Sequence, residues 1–246
     1  KEAQTTGDCV SHGSRNARDT TRCVEIHIDG EPEEYSHRGA TEPTYGARGH
    51  GGQGMNPARA SKFERDNGFL VRKDYDGIVD LRRYDARIGT GWGKRGVPAR
   101  VKSLCQRHNI GRVHSPRSVG EVLDLLATGH AGHSGQQWGT GKNTGSDGLN
   151  ASNGSGWNHD MATVGFDASK DVWDETVVFV VNSWGRWNQR NKRWNDELLG
   201  PWIPGMMAIP IEEYDRYFVR SGSIDFYSAV NGFVVSHLPD YGFGGV

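Results

Sequence analysis

The spacing of apolar residues changes partway along this chain, and that change limits the folds open to it. Up to about residue 127 the clearest apolar stripes recur every three or four residues, as on the buried face of a helix. From about residue 161 the apolar segments are short and bounded by turn residues, as in β-strands. Helices in the first half and strands in the second predict an α+β chain with two unlike lobes. They argue against the alternating βαβ units of a parallel sheet.

The individual signals are local. Asp8, an N-cap residue type, opens a predicted helix over 9–24, with Val10, Ala17, Val24 and Ile28 loosely spaced along it. Asn56 as cap, Pro57 at the first helical position and Gly68 just past the end predict a helix over 56–67. A second proline-initiated helix is expected over 98–109, with Val101, Leu104, Cys105 and His108 on one face. Ser118 and Glu121 form a capping box for a third, over 118–127. Residues 29–54 read as loop and 69–96 as short extended pieces interrupted by glycines. Strands are expected over 161–167, 176–181, 205–211 and 222–233. The segment 128–158, dense in Gly, Ser and Asn, reads alone as a linker, or else as a long surface loop.

Composition narrows the function. The chain has 35 glycines in 246 residues, roughly twice ordinary usage, but no G-x-y period, which excludes collagen. Eight Trp, eight Tyr and eight Phe supply the aromatic surface that a disordered chain lacks. A net charge of −1 gives no electrostatic footprint for nucleic acid or for a membrane surface. The longest apolar run, Val177–Val181, is far too short to span a bilayer, and no signal-peptide pattern stands at Lys1. Three cysteines, Cys9, Cys23 and Cys105, make neither a disulfide framework nor a thiolate zinc site, so no metal is expected.

Three segments carry candidate chemistry. In Gln4-Thr5-Thr6-Gly7-Asp8-Cys9 a cysteine sits at the first turn of a predicted helix, where the helix dipole favours an anion and so a thiolate. A lone cysteine is also commonly an inert buried thiol. In Trp157-Asn158-His159-Asp160-Met161 a histidine opens a strand, held by a rigid element yet accessible, as a general base needs. Most of the other histidines, including His12, His37, His50, His114, His130 and His133, are expected in solvated loops. In Val181-Asn182-Ser183-Trp184-Gly185 an apolar strand ends in an amide that can accept the Nδ1 proton of an imidazole. A large indole follows and can exclude water from that pair.

The order Cys, His, Asn, with His159 about 150 residues after Cys9 and Asn182 23 residues after His159, resembles the papain-like cysteine peptidases. Asn182-Ser183-Trp184-Gly185 is the most specific part of the resemblance, and Met161 to Phe166 after the histidine is similar to the family's strand ending in Gly-aromatic. Gly51-Gly52 and the run from Asn67 to Asp76 also resemble family segments, so the likeness covers about residues 4–235. Val10 stands where the family has a large aromatic, Asp160 where it has a small residue, and Gln4 one residue closer to the cysteine than usual.

The resemblance implies one papain-like domain over 1–246. A mainly helical lobe would cover about 1–110, an antiparallel, β-barrel-like lobe about 111–235, and a tail 236–246, with the site in the cleft between lobes. It implies Cys9 as nucleophile and His159 as base, paired as thiolate and imidazolium, with Asn182 orienting the imidazole under Trp184. Gln4 would serve the oxyanion, and Gly51, Gly52, Trp184 and Met55 would face substrate, with Ala162 a further candidate wall. The expected reaction is hydrolysis of a protein or peptide through a thioester, without cofactor. A weakly active structural or assembly component, for instance of a virus particle, and an amidase or transpeptidase remain alternatives. The expected location is the cytoplasm or a virus particle, not secretion dependent on disulfides.

Overall fold

A computed structural model describes residues 2–32 and 37–231. The proposed tail 236–246 and the last two residues of the expected strand 222–233 lie outside the described residues. Helix α1 (Cys9–His27) is followed by α2 (Glu42–Gly46), α3 (Pro57–Asn67), α4 (Ala86–Trp92) and α5 (Ala99–Cys105). Strand β1 (Asn109–His114) and helix α6 (Val119–Ala127) lead into β2 (Gly132–Gln137), β3 (Asn158–Asp167) and β4 (Val177–Val181). Short helix α7 (Asp196–Leu199), β5 (Met206–Pro210), α8 (Ile211–Tyr214), a π-helical turn (Asp215–Val219) and β6 (Ser223–Asn231) complete the order.

The strands form one antiparallel sheet in the order β1-β6-β2-β3-β4-β5. It is open, with β1 and β5 at its edges, where the family resemblance led us to expect a barrel-like closure. Side chains alternate across it as strand geometry requires. Val178 and Val180 join Trp138, Met161, Met207, Ile209 and Phe218 on one side, while Val177, Phe179 and Val181 pack with Trp173 and Trp194 on the other. Burying each such side chain contributes about 1.5–3 kcal/mol. The helical half has its own core of Phe63, Leu70, Tyr75, Leu81, Val101, Leu104 and Cys105.

Helix α1 packs across β2, β3 and β6 and is the hinge of the architecture. Its loose apolar spacing now has a cause: much of its buried surface is polar. Arg18 and Glu64, both fully buried, pair at 2.7 Å, and Glu64 also accepts hydrogen bonds from Ser14 and Thr44 at 2.6 Å each. Buried charge is tolerated only when paired in this way.

Four expectations need correction. Residues 29–54, expected as loop, contain α2, whose second residue Pro43 suits a helix start. The glycine-rich segment 128–158 is neither linker nor surface loop throughout, because it contains β2 in the middle of the sheet. Its glycines permit close packing: a Cβ at Gly132 would meet Phe226 and the Asp225 carbonyl, and one at Gly135 the Pro57 ring. Residues 69–96 are not all extended, since Asp85 caps α4 by accepting from the Arg87 N–H at 2.9 Å. The helix expected over 98–109 ends at Cys105, which frees Asn109 to begin β1.

Candidate active site

Cys9 is the first residue of α1, and Asp8 occupies the cap position without capping. The Asp8 carboxylate instead accepts from the Tyr84 hydroxyl at 2.7 Å, and that hydroxyl accepts from the Thr5 N–H at 3.2 Å. This clasp fixes the turn that leads into the helix. The backbone N–H groups of Asp160 and Val10 face the Cys9 sulfur and work to lower its pKa against burial. Asp160 belongs to β3, so the helix start and the strand meet at the sulfur.

His159 stands in the first turn of pairing of β3 with β2, opposite Gln136. Its Nε2 lies 2.9 Å from Asn182 Oδ1, just past the end of β4. An amide oxygen only accepts, so Nε2 carries the ring proton and Nδ1 is left as the free base. The sequence reading had assigned the amide to Nδ1, and the geometry assigns it to Nε2. Trp184 stacks on the imidazole with ring centroids 4.6 Å apart. Trp157 and Trp187 pack on Trp184 at 4.8 and 5.4 Å, which extends the indole cover.

Cys9 and His159 line one cleft of about 450 Å³ together with Val10, Gly54, Met55, Pro57, Asp160 and the 221–223 turn. Burial pushes the Cys9 thiol up to about 12, reinforced by the Asp160 carboxylate, and burial pushes His159 down to about 4. Taken separately, each shift favours the neutral form of its group.

Gln4 is anchored beside the Asn182-Ser183-Trp184 segment. Its N–H donates to the Ser183 carbonyl at 3.0 Å, its Oε1 accepts from the Ser183 hydroxyl, and Ala3 bridges to Trp184. Its Nε2 donates one hydrogen to the Thr6 carbonyl at 3.1 Å, which leaves the second. Met55 lines the cleft; the glycine beside it on that wall is Gly54, with φ +80°, while Gly51 and Gly52 are exposed outside the lining. Ala162 is fully buried, not a cleft wall, because its side chain faces the α1 side of the sheet with Ala17 and Tyr227.

The sequence reading placed His12 and His133 in solvated loops, and both are fully buried. His133 is on β2 and pairs with Asp160 through Nδ1 at 3.0 Å. Its Nε2 contacts the Ser61 hydroxyl at 3.0 Å. The available signal was Asp160 itself, a charge placed inside an apolar strand. All three cysteines are free. Among the described residues no helix is long and apolar enough to cross a membrane, and no cluster of metal-binding side chains occurs.

No protein-family model and no curated protein matches this chain in sequence. Solved structures do match it. Xylellain, a cysteine protease from Xylella fastidiosa, superposes with a TM-score of 0.59 at 14% identity over 94% of this chain and 82% of that one. The clostridial cysteine protease Cwp84 gives 0.60 at 16% identity over 94% of this chain and 54% of that one. The bromelain protease of Ananas comosus gives 0.50 at 15% identity over 94% of this chain and 93% of that one. The chain has the papain-like cysteine protease fold.

Proposed function

We propose that the chain is a cysteine peptidase in which Cys9 attacks a peptide carbonyl and His159 moves the protons. The observation that carries this reading is His159 held through Nε2 by Asn182 under Trp184, with Nδ1 free, in the cleft that Cys9 also lines.

In this reading the sulfur gives its proton to His159 Nδ1 and attacks the carbonyl carbon. The negative charge passes to the carbonyl oxygen. On the same reading the backbone N–H at the start of α1 and the remaining Gln4 amide hydrogen would receive it, and such donors are worth about 10²–10³ in rate each. The C–N bond then breaks, the Nδ1 proton leaves with the amine, and a thioester remains on Cys9. Water attacks the thioester, gives a proton to Nδ1, and releases the acid as the sulfur regains its proton. The wall of Gly54 and Met55 is where an extended peptide would run.

The test is labelling of the folded protein with an epoxysuccinyl or vinyl-sulfone peptide, together with turnover of a peptide library. The expected result is a single adduct on Cys9, with hydrolysis lost in Cys9→Ala while the melting temperature stays nearly constant. A folded protein that neither forms this adduct nor hydrolyses any library member refutes the reading.

A further inference from the structure

Residues 2–8 form a strap that runs from the helical half, past Trp184, to the start of α1. Its second half is held locally. The Thr5 N–H donates to the Tyr84 hydroxyl at 3.2 Å, the Thr6 hydroxyl to Gln53 Oε1 at 2.7 Å, and the Gly54 N–H to the Gly7 carbonyl at 3.0 Å. Its first half has another anchor, which the reaction above does not use. Arg15 Nη1 donates to Glu2 Oε2 at 2.7 Å, Arg72 Nη2 donates to the same oxygen at 3.2 Å, and Arg72 Nε lies 3.0 Å from Oε1. Two guanidiniums, one from α1 and one from the segment after α3, grip one carboxylate.

Arg72 has a second acid in Glu42, whose two oxygens accept from its Nη1 at 2.8 and 2.7 Å. Arg15 does not. Among the described residues Glu2 is the only carboxylate within salt-bridge distance of Arg15, whose side chain is 1% exposed. A guanidinium buried this deeply is stable only beside an anion, so the grip on Glu2 is firm. The other arm of Arg15 donates to His12 Nδ1 at 3.2 Å, and His12 Nε2 lies 3.5 Å from Asp8 Oδ2, at the far end of the strap. Between the anchors Ala3 bridges antiparallel to Trp184, so closely that a Cβ on Gly185 would meet the Ala3 Cβ at 3.1 Å. Gln4 comes next, with its N–H on the Ser183 carbonyl and its side-chain oxygen on the Ser183 hydroxyl. A shift of residue 2 thus reaches Gln4 through a single residue. We propose that Glu2 is a positioning residue for Gln4: clamped between Arg15 and Arg72, it holds the strap where Gln4 seats on Ser183.

The inference deepens the reading of the chain as a cysteine peptidase and rests on it, because Gln4 matters to turnover only as an oxyanion donor. The test is a cycle of four proteins in peptide hydrolysis: the unmodified chain, Glu2→Gln, Gln4→Ala and the double variant. An oxyanion donor acts in the transition state, so misplacing it lowers kcat and leaves KM nearly constant. Gln4→Ala is expected to lower kcat by about 10²–10³. Glu2→Gln should lower it by about tenfold or more, as displacement of a reacting group does. In the Gln4→Ala background Glu2→Gln should change nothing further. An equal fall in both backgrounds, or a raised KM with kcat unchanged, overturns the proposal. Backbone amide exchange, followed by NMR, separates the clamp from the activity. Relative to the core amides of β4, the Gln4 N–H is expected to exchange about tenfold faster in Glu2→Gln, and unchanged exchange overturns the proposal in any case. If the unmodified protein hydrolyses nothing, the peptidase reading fails by itself and this exchange decides the clamp. Should Glu2→Gln fail to fold, Glu2→Asp, which draws the carboxylate back by one methylene, is read by the same exchange.

Discussion

Gly13 offers a quantitative test of how tightly strand β3 is seated on helix α1. In an exposed helix, replacing glycine by alanine stabilises by about 1 kcal/mol, because alanine loses less backbone entropy on folding. Here the added methyl would run into Asp160 Oδ1, with His133 Cβ 3.4 Å away on a second side. The carboxylate cannot swing aside without leaving His133, to which it is bound at 3.0 and 3.1 Å in a site closed to water. Overpacking of this kind costs about 1–3 kcal/mol, and breaking a buried ion pair costs about 3–5 kcal/mol. Set against the propensity gain, Gly13→Ala should lose about 2 kcal/mol, or about 4–8 °C in melting temperature for a chain this size. The assay is guanidinium and thermal unfolding of four proteins: the unmodified chain, Gly13→Ala, Asp160→Ala and the double variant. With the carboxylate gone the methyl has room, so in the Asp160→Ala background the same change should be neutral or stabilising. The coupling should exceed about 1 kcal/mol. A Gly13→Ala protein as stable as the unmodified chain, or an equal loss in both backgrounds, refutes the argument.

Two further tests address the buried charges. Burial holds His159 and His108 at about 4, so the folded state binds fewer protons than the unfolded chain between about pH 6.5 and 4. Their contribution is full above that window and declines as pH falls through it, by up to about 1.4 kcal/mol per unit for each group. His133, whose pKa is raised, acts in the opposite sense and offsets only part of this. The urea midpoint should fall between pH 7 and 5, and a constant or rising midpoint refutes the assignment. Glu64→Gln strands the fully buried Arg18 guanidinium and should cost about 3 kcal/mol or more in urea unfolding. Lys62→Ala, which breaks the exposed 2.6 Å pair with Asp66, should change stability by less than about 1 kcal/mol.

The elements that the sequence disclosed are those with local punctuation. Asn56 and Ser118 do cap α3 and α6, accepting from the N–H groups of Arg59 and Glu121, and Pro57 and Gly68 mark the two ends of α3 as expected. The apolar runs of β4 and β5 are likewise self-evident in the sequence. What stayed hidden depends on partners far away in the chain. Strand β2, Gly-His-Ser-Gly-Gln-Gln, has no β-former in it, and its glycines are there because Phe226, Asp225 and Pro57 approach from elsewhere. His133 looked like a loop residue for the same reason. That Cys9 starts a helix, His159 lies near the start of a strand and Asn182 follows one was legible, because each sits at the end of a regular element. The burial of Cys9 and His159 and the closeness of Asp160 were not, since only the packing of α1 on β3 brings them together.

The pairing of β3 with β4 has a consequence for how the chain matures. His159 on β3 and Asn182, just past the end of the neighbouring antiparallel strand β4, are 23 residues apart, so their contact is local and fast to form. Cys9 joins them only by closing a loop that spans more than half of the chain, and Gln4 reaches Ser183 across 179 residues. During synthesis Cys9 emerges before His159 and Asn182. A growing chain therefore carries the Cys9 thiol before the other two residues can be brought beside it. On the roles proposed for these residues, the temporal order of the chain withholds reactivity until the strands that carry them have folded.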